Sequence, residues 1–317
     1  MGPSSVLYFN IPQVSESIVA SMSDLLIYQK DQRPKFVGLY LIGDLIGEGS
    51  YSKVKECIDS ETLERRAVKI MKKQRLKKIP NGEENVRRET RLMSKLNHKN
   101  VIKLVDIIYN EEKQKLYIIM EYCVTVLQEL FDRAPNNILP ISQAHHYFVQ
   151  LIEGLEYLHS HGIIHKDIKP SNLLIDNSNV IKITDLGVSE QLDRYSPHDW
   201  CSTSQGSPAF QAPELAEGVE KFSGYKIDIW SSGVTLYSIT TGKYPFEGEN
   251  VYRLFEKIST GIFYMPESLD PALQDLLSGM LKKDPEQRMS LSQVKSHDWF
   301  RRNHPPIGEH VPLVATQ

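Results

Sequence analysis

Only three of the 317 residues are cysteine, Cys57, Cys123 and Cys201, and they lie far apart. Such a set has neither metal-ligand spacing nor a disulfide framework, and it fits a reducing compartment. No apolar run approaches the ~18 residues of a membrane span, and no continuous apolar stretch near the start reads as a secretory signal. Lipid anchoring is unsupported too: Val6 stands where a myristoylation motif after Met1-Gly2 wants Ser or Thr, and Val314-Ala315-Thr316-Gln317 has no prenylation cysteine. Charge of one sign is not in excess, since 37 basic and 40 acidic residues leave −3. Bulk charge therefore gives no expectation of nucleic acid as a partner. No internal repeat stands out. What is present is 40% hydrophobic residues, enough for a large core and too many for wholesale disorder. At about 100–200 residues per domain, the length allows two domains or two coupled lobes. A soluble intracellular protein, cytoplasmic or also nuclear, is expected.

Residues 1–38 are mixed and weakly patterned, and read as a tail. From Leu39 the chain turns strand-like over Leu39–Ile46, Lys53–Asp59 and Arg65–Lys72, with turn residues between. Pro80-Asn81-Gly82 breaks the chain before a helix over Glu83–Leu96, with Val86, Met93 and Leu96 on one face. Ile102–Tyr109 and Lys115–Glu121 read as two more strands. After Glu121 the period becomes helical: Ala144, Phe148, Leu151, Ile152, Leu155 and Leu158 recur at helix spacing. Ile227–Thr241, Val251–Gly261 and Pro271–Leu281 continue that pattern, and Pro305-Pro306 marks a second tail. The expectation is an α+β chain. An antiparallel β-sheet lobe with one helix (39–121) precedes a larger helical lobe (122–300), with a cleft between them and tails at 1–38 and 301–317.

Three stretches carry chemistry. Gly47-Glu48-Gly49-Ser50-Tyr51-Ser52-Lys53-Val54 lies between the first two strands, where glycines let backbone N–H groups approach phosphates. A glycine turn in any hairpin would look the same. Lys69, in Ala67-Val68-Lys69-Ile70, falls on an inward position of an apolar strand, which is costly unless the ammonium is paired. Glu89, between Val86 and Met93 on the next helix, is the natural partner; a snorkelling lysine and a solvated glutamate are the plain alternative. More specific is His165-Lys166-Asp167-Ile168-Lys169-Pro170-Ser171-Asn172, followed by Asp185-Leu186-Gly187. An acid for a hydroxyl proton, an amide and a second acid for a divalent cation, and a lysine for a phosphoryl oxygen are the parts phosphoryl transfer needs.

In this order the stretches resemble the protein kinase family, and the resemblance runs from about Leu39 to Phe300 through Ala212-Pro213-Glu214, Asp228-Ile229-Trp230-Ser231-Ser232-Gly233 and Arg288. It implies a bilobal protein-kinase fold, ATP, and Mg²⁺ or Mn²⁺. Catalytic roles would fall to Asp167, Lys169, Lys69 and Glu89, and the cation to Asn172 and Asp185. Nucleotide contacts would come from Ile46, Gly47, Glu48, Gly49, Ser50, Tyr51, Ser52, Lys53 and Val54, and from Ala67, Lys69, Met120, Glu121, Cys123 and Leu174. By the same resemblance Glu214 pairs with Arg288, Asp228 holds the catalytic-loop backbone, and Leu186 stacks with His165, Met93 and Leu104. Departures are Ser52 for the third glycine, Lys166 for the common Arg, Leu186 for the common Phe and Ala212 for a Pro.

Asp167-Ile168-Lys169-Pro170-Ser171-Asn172 resembles the serine/threonine type of catalytic loop. A closer likeness, carried by Lys78–Glu83, Tyr109–Lys115 and Ser204–Gln211, is to a subfamily of upstream kinases. That likeness implies protein substrates of the AMP-activated protein kinase activation-loop type, and activation by a pseudokinase together with a helical-repeat scaffold. Two alternatives stand beside it. A pseudokinase scaffold would be favoured by loss of Lys69, Asp167 or Asp185, all of which are present. A small-molecule phosphotransferase is disfavoured by the complete Ala212-Pro213-Glu214 segment and the Gly206–Gln211 loop before it.

Overall fold

The computed structural model describes residues 35–49, 51–192, 198–203, 205–305 and 310–313. The chain divides into two compact units, one of Met1–Thr90 with Lys103–Tyr122, the other of Arg91–Ile102 with Cys123–Gln317.

The first unit is a six-stranded antiparallel sheet in the order β1-β2-β3-β4-β6-β5. Its strands are β1 (Lys35–Val37), β2 (Tyr40–Glu48), β3 (Ser52–Asp59), β4 (Arg65–Lys72), β5 (Leu104–Asn110) and β6 (Lys115–Glu121). Alternation along the strands divides them into two faces. Tyr40, Ile42, Cys57, Val68, Tyr117 and Ile119 form a core on one of them. The short helix α1 (Lys73–Leu76) and the longer α2 (Gly82–Met93) follow β4. Gly82 opens α2 because nothing larger fits: a Cβ there would sit 2.2 Å from the Leu76 carbonyl oxygen.

In the second unit β7 (Thr125–Val126) is followed by α3 (Leu127–Arg133) and α4 (Ile141–Ser160). Then come β8 (Ile163–Ile164), β9 (Leu173–Ile175), β10 (Ile181–Ile183), β11 (Glu190–Gln191), β12 (Trp200–Cys201) and, after α5 (Pro213–Ala216), β13 (Phe222–Ser223). Helices α6 (Gly224–Thr241), α7 (Val251–Thr260), α8 (Pro271–Met280), α9 (Leu291–Ser296) and α10 (Asp298–Arg301) complete it. Buried nearly all round, α6 is the central post of this unit, and Trp230 and Val234 join Phe210, Phe222, Phe246 and Leu281 in its core. Gly224, at the start of α6, lets the helix meet the strand before the catalytic loop, since a Cβ would lie 2.6 Å from Ile164 Cγ1. Among the described residues, no helix is long and apolar enough to cross a membrane.

Three differences from the sequence reading have physical causes. Residues 35–37, assigned to a tail, pair with Tyr40, Leu41 and Ile42 as an edge strand; two apolar residues are too few to show a period. Residues 91–102 cluster with the helical unit, because Asn100 and Ile102 bond Ile183 at 2.9 Å each and Val101 bridges it in parallel. The expected tail from 301 is docked at Val311, whose N–H and carbonyl both bond the buried Gln143 side chain at 3.0 Å. The remaining parts of both expected tails, 1–34, 306–309 and 314–317, lie outside the described residues.

Candidate phosphoryl-transfer site

In the first unit the glycine loop joins β2 to β3 as a tight hairpin, with Gly47 opposite Val54, Glu48 opposite Lys53, and Gly49 N–H bonded to the Ser52 carbonyl at 3.0 Å. Lys53 and Glu48 form a half-exposed ion pair at 3.2 Å. Ile46 is half-buried at a register irregularity of β2, and Tyr51 is exposed. Ser50 lies outside the described residues. A Cβ on Gly47 would find only ordinary contact at 3.6 Å, whereas one on Gly49 would lie 3.2 Å from Ser52 Oγ. The fold itself therefore does not demand glycine at 47; any such demand comes from a ligand.

Cross-strand register places Val54 opposite Lys69, and Ala67 opposite Met120. Val54, Ala67, Lys69 and Met120 thus share one face of the sheet, the face opposite the Val68 core. Glu121 extends β6, its N–H bonded to the Lys103 carbonyl at 3.1 Å and its carboxylate accepting the Lys103 N–H at 2.7 Å. Lys69 Nζ lies 2.9 Å from Glu89 Oε1, with side chains 19% and 7% exposed. That is a desolvated ion pair between β4 and α2, and it rules out the snorkelling alternative.

In the second unit the catalytic loop is held by Asp228 from α6, which is fully buried. Its Oδ2 accepts the His165 N–H at 2.9 Å and its Oδ1 the Lys166 N–H at 2.8 Å, while His159 Nε2 lies 2.9 Å from Oδ2. The hold matters because Lys166 has φ +67°, a left-handed conformation that costs a non-glycine residue free energy. Asp167 is turned into a dense set of donors. Lys169 Nζ is 2.8 Å from Oδ2, Asn172 Nδ2 donates to the same oxygen at 2.9 Å, and the Ser207 N–H donates to Oδ1 at 2.8 Å. Burial pushes the Asp167 carboxyl up, but Lys169 and Ser207 outweigh it and hold the group below the usual carboxylate range. The acid is therefore ionised at neutral pH and fit to accept a hydroxyl proton.

The hairpin of β9 and β10 brings Asn172 and Asp185 to one end: Leu173 pairs with Ile183, and Thr184 N–H bonds the Asn172 carbonyl at 3.0 Å. Asp185 has φ +64° and is exposed, while the neighbouring Leu186 is buried. Asn172 spends Nδ2 on the Asp167 carbonyl and carboxylate, which leaves its Oδ1 as the donor toward a cation. One carboxylate and one amide carbonyl are hard oxygen donors that suit a small divalent ion completed by phosphate oxygens and water. Among the described residues no group of three or more His, Cys, Asp or Glu forms a metal cage, so such an ion would need its other ligands from the nucleotide. Leu174 is half-buried on β9 opposite Val126, and Cys123 is half-buried just before β7.

The predicted residues thus fall into two groups. Ile46–Val54, Ala67, Lys69, Glu89, Met120 and Glu121 belong to the first unit; Cys123, Asp167, Lys169, Asn172, Leu174 and Asp185 belong to the second. Glu214 and Arg288 form a two-pronged buried pair at 2.8 and 2.9 Å, with Arg288 also donating to the carbonyls of Lys226, Lys282 and Lys283. The sequence reading missed His159, Glu190 and Ser207 as supports of the loop. No local pattern could have found them, because each reaches a partner 24 to 69 residues away.

Comparison with known proteins fits this geometry. Residues 40–300 match the protein kinase domain family. The chain is 59% identical over 289 residues to serine/threonine-protein kinase STK11 of Homo sapiens, covering 91% of this chain and 67% of that protein. The Gallus gallus protein of the same name is also 59% identical, with 91% and 66% covered. Serine/threonine-protein kinase par-4 of Caenorhabditis elegans is 46% identical over 279 residues, 87% of this chain and 45% of that protein. The chain thus spans about two thirds of the length of these vertebrate relatives. The loop that holds Asp167 ionised and the relatives aligned across it lead to one conclusion: the chain belongs to the protein kinase family, as a member of its serine/threonine type.

Proposed function

We propose that this kinase uses Mg²⁺ with ATP and phosphorylates threonines in the activation loops of AMP-activated-type protein kinases, in an assembly with a pseudokinase and a helical-repeat scaffold. The observation that carries the site reading is the Asp167 carboxylate, ionised and fixed by Lys169, Asn172 and Ser207. Asp167 orients the substrate hydroxyl and takes its proton, Lys169 meets the transferred phosphoryl group, and Lys69, positioned by Glu89, meets the α- and β-phosphates. Asn172 and Asp185 would hold the cation, which supplies charge neutralisation to the phosphates when bound. A scaffold without turnover is not supported, since Lys69, Asp167 and Asp185 are all present and the relatives are named as kinases.

Single-turnover phosphate transfer by Asp167→Ala and Asp185→Ala tests the site. Losses of about 10²–10⁴-fold are expected, and activity within a few fold of the parent would overturn the assignment. Substrate and partners are tested by assaying activation-loop proteins with and without the two partner classes. A 100-fold rise with partners corresponds to about 2.7 kcal/mol of preference for the active state; no rise would remove the partner proposal and leave the site reading intact.

A further inference from the structure

Many kinases order the segment after the metal-binding Asp by phosphorylating it, the phosphate meeting a basic residue just before the catalytic Asp. Here that basic residue is already taken. Lys166 Nζ, 2% exposed as a side chain, lies 3.0 Å from Glu190 Oε2 and donates to Thr203 Oγ1 at 2.5 Å. Thr203 Oγ1 in turn donates to Glu190 Oε2 at 2.9 Å, closing a cluster that Cys201 joins through its own side-chain hydrogen bond to Glu190. Burial pushes the Glu190 carboxyl up, but its bonds to Lys166 and Thr203 outweigh this and hold it below the ordinary range, so the carboxylate is charged. Four residues on, Ser207 ties the segment to Asp167 through its N–H and to Lys169 Nζ through its hydroxyl at 2.5 Å. The stretch 203–207 is therefore fastened to 166–169 at both ends by unmodified side chains.

We propose that Thr203 is an inhibitory phosphorylation site: a phosphate on its Oγ1 opens the Lys166–Glu190–Thr203 cluster and slows turnover rather than raising it. This rests on the kinase reading of the same site. Thr203 is exposed as a residue, so a second protein kinase can reach it with ATP. Oγ1 attacks the γ-phosphorus, the new O–P bond forms as the bond to ADP breaks, and the hydroxyl proton passes to that kinase's catalytic carboxylate. The product has lost one of the donors that Glu190 used, the Thr203 hydroxyl. It also carries a charge of about −1.5 to −2 beside a carboxylate formerly in hydrogen-bond contact with the same oxygen. Among the described residues this cluster holds one cation, Lys166, a point charge without the fork that grips a phosphate. Pairing of its backbone with Ile164 in β11 and β8 keeps Glu190 close, so its carboxylate and the phosphate would compete for Lys166. That lysine sits immediately before Asp167, in a strained conformation.

The test uses the chain with phosphothreonine installed at 203 by genetic encoding, assayed together with its activating partners beside the unmodified chain and Thr203→Val. A kcat lowered about tenfold or more relative to both, and restored by phosphatase, is the expected result. A second readout does not depend on activity: titration of the phosphate by ³¹P NMR. With Glu190 beside it, the second phosphate pKa should lie above the ordinary value of about 6, and Glu190→Gln should bring it down. A phosphorylated chain that turns over as fast as the unmodified one, or faster, overturns the proposal. So does a phosphate that titrates below the ordinary value with Glu190 in place, since Lys166 would then have accepted it. If the unmodified chain transfers no phosphate, the kinase reading fails, and the NMR arm still decides the cluster.

Discussion

Two buried ion pairs, one in each unit, are built differently. In the first, Lys69 on a strand meets Glu89 on a helix at 2.9 Å, with Lys69 partly open to solvent. In the second, Arg288 makes two bonds to Glu214 and three to backbone carbonyls, and its guanidinium lies 5.0 Å from the centre of the Trp230 ring. Asp228 likewise serves two backbone N–H groups and a histidine. A charge with three or more partners cannot shift without leaving several polar groups unsatisfied, so it fixes structure. Lys69 and Glu89 stand on different elements, a strand and a helix, so their contact follows any movement of either. The Glu214–Arg288 set is therefore expected to carry stability, and the Lys69–Glu89 pair, on the proposed function, to tune activity.

The largest stability effect should come from cutting the denser set. Glu214→Ala leaves the Arg288 guanidinium buried with its main partner gone, and a loss of about 3–5 kcal/mol is expected. Calorimetry of the whole chain reads it as a large fall in the transition of the helical unit. A fall no larger than that of a surface substitution would break the comparison at its stable end.

Glu89→Gln should behave in the opposite way. It keeps size and a hydrogen-bonding group but gives up the charge opposite Lys69, a contact in the range of about 1.5–3 kcal/mol. If that energy is used to position Lys69 for the nucleotide, kcat/KM falls about tenfold to a hundredfold, and the thermal transition falls by less than in Glu214→Ala. A Glu89→Gln chain that is as active as the parent but unfolds as readily as Glu214→Ala would reverse the two assignments.

Much of this was legible before any coordinates. The strands Arg65–Lys72 and Lys115–Glu121 keep their bounds end to end, because short apolar, β-rich runs of eight and seven residues bounded by polar turns are long enough to read. The apolar run gave Lys69 an inward position on its strand, and the place of Glu89 between Val86 and Met93 on the next helix offered it as the partner. The helix expected over Glu83–Leu96 runs from Gly82 to Met93, and its final apolar residue, Leu96, is buried in the turn beyond it. What stayed hidden is long-range. Glu190 is an ordinary polar residue in sequence and becomes a partner of Lys166 only because β11 pairs with β8. Ser207 caps Asp167 through its backbone, which carries no side-chain signature at all. Glu214 with Arg288, and Asp228 with the loop, were legible only through resemblance, since singly each reads as a solvated charge.

The smallest effect, and the sharpest probe of the first unit, concerns Ser52. Its carbonyl accepts the Gly49 N–H that closes the hairpin, a bond that a glycine at 52 would keep. Its hydroxyl lies where a Cβ on Gly49 would come to within 3.2 Å, so the side chain sits across the loop. Removing it opens space on that side without breaking the hairpin, at a backbone cost of about 0.5–1 kcal/mol in the stability of the unit. Ser52→Gly should therefore bind ATP as tightly as the parent or slightly more so, by calorimetric titration, with a transition lowered by no more than a few degrees. A strong loss of ATP affinity would mean that the hydroxyl itself touches the nucleotide. The glycine loop would then depend on a side-chain donor as Asp167 depends on Lys169, and the contrast between the Lys69–Glu89 pair and the Glu214–Arg288 set would not extend to the glycine loop.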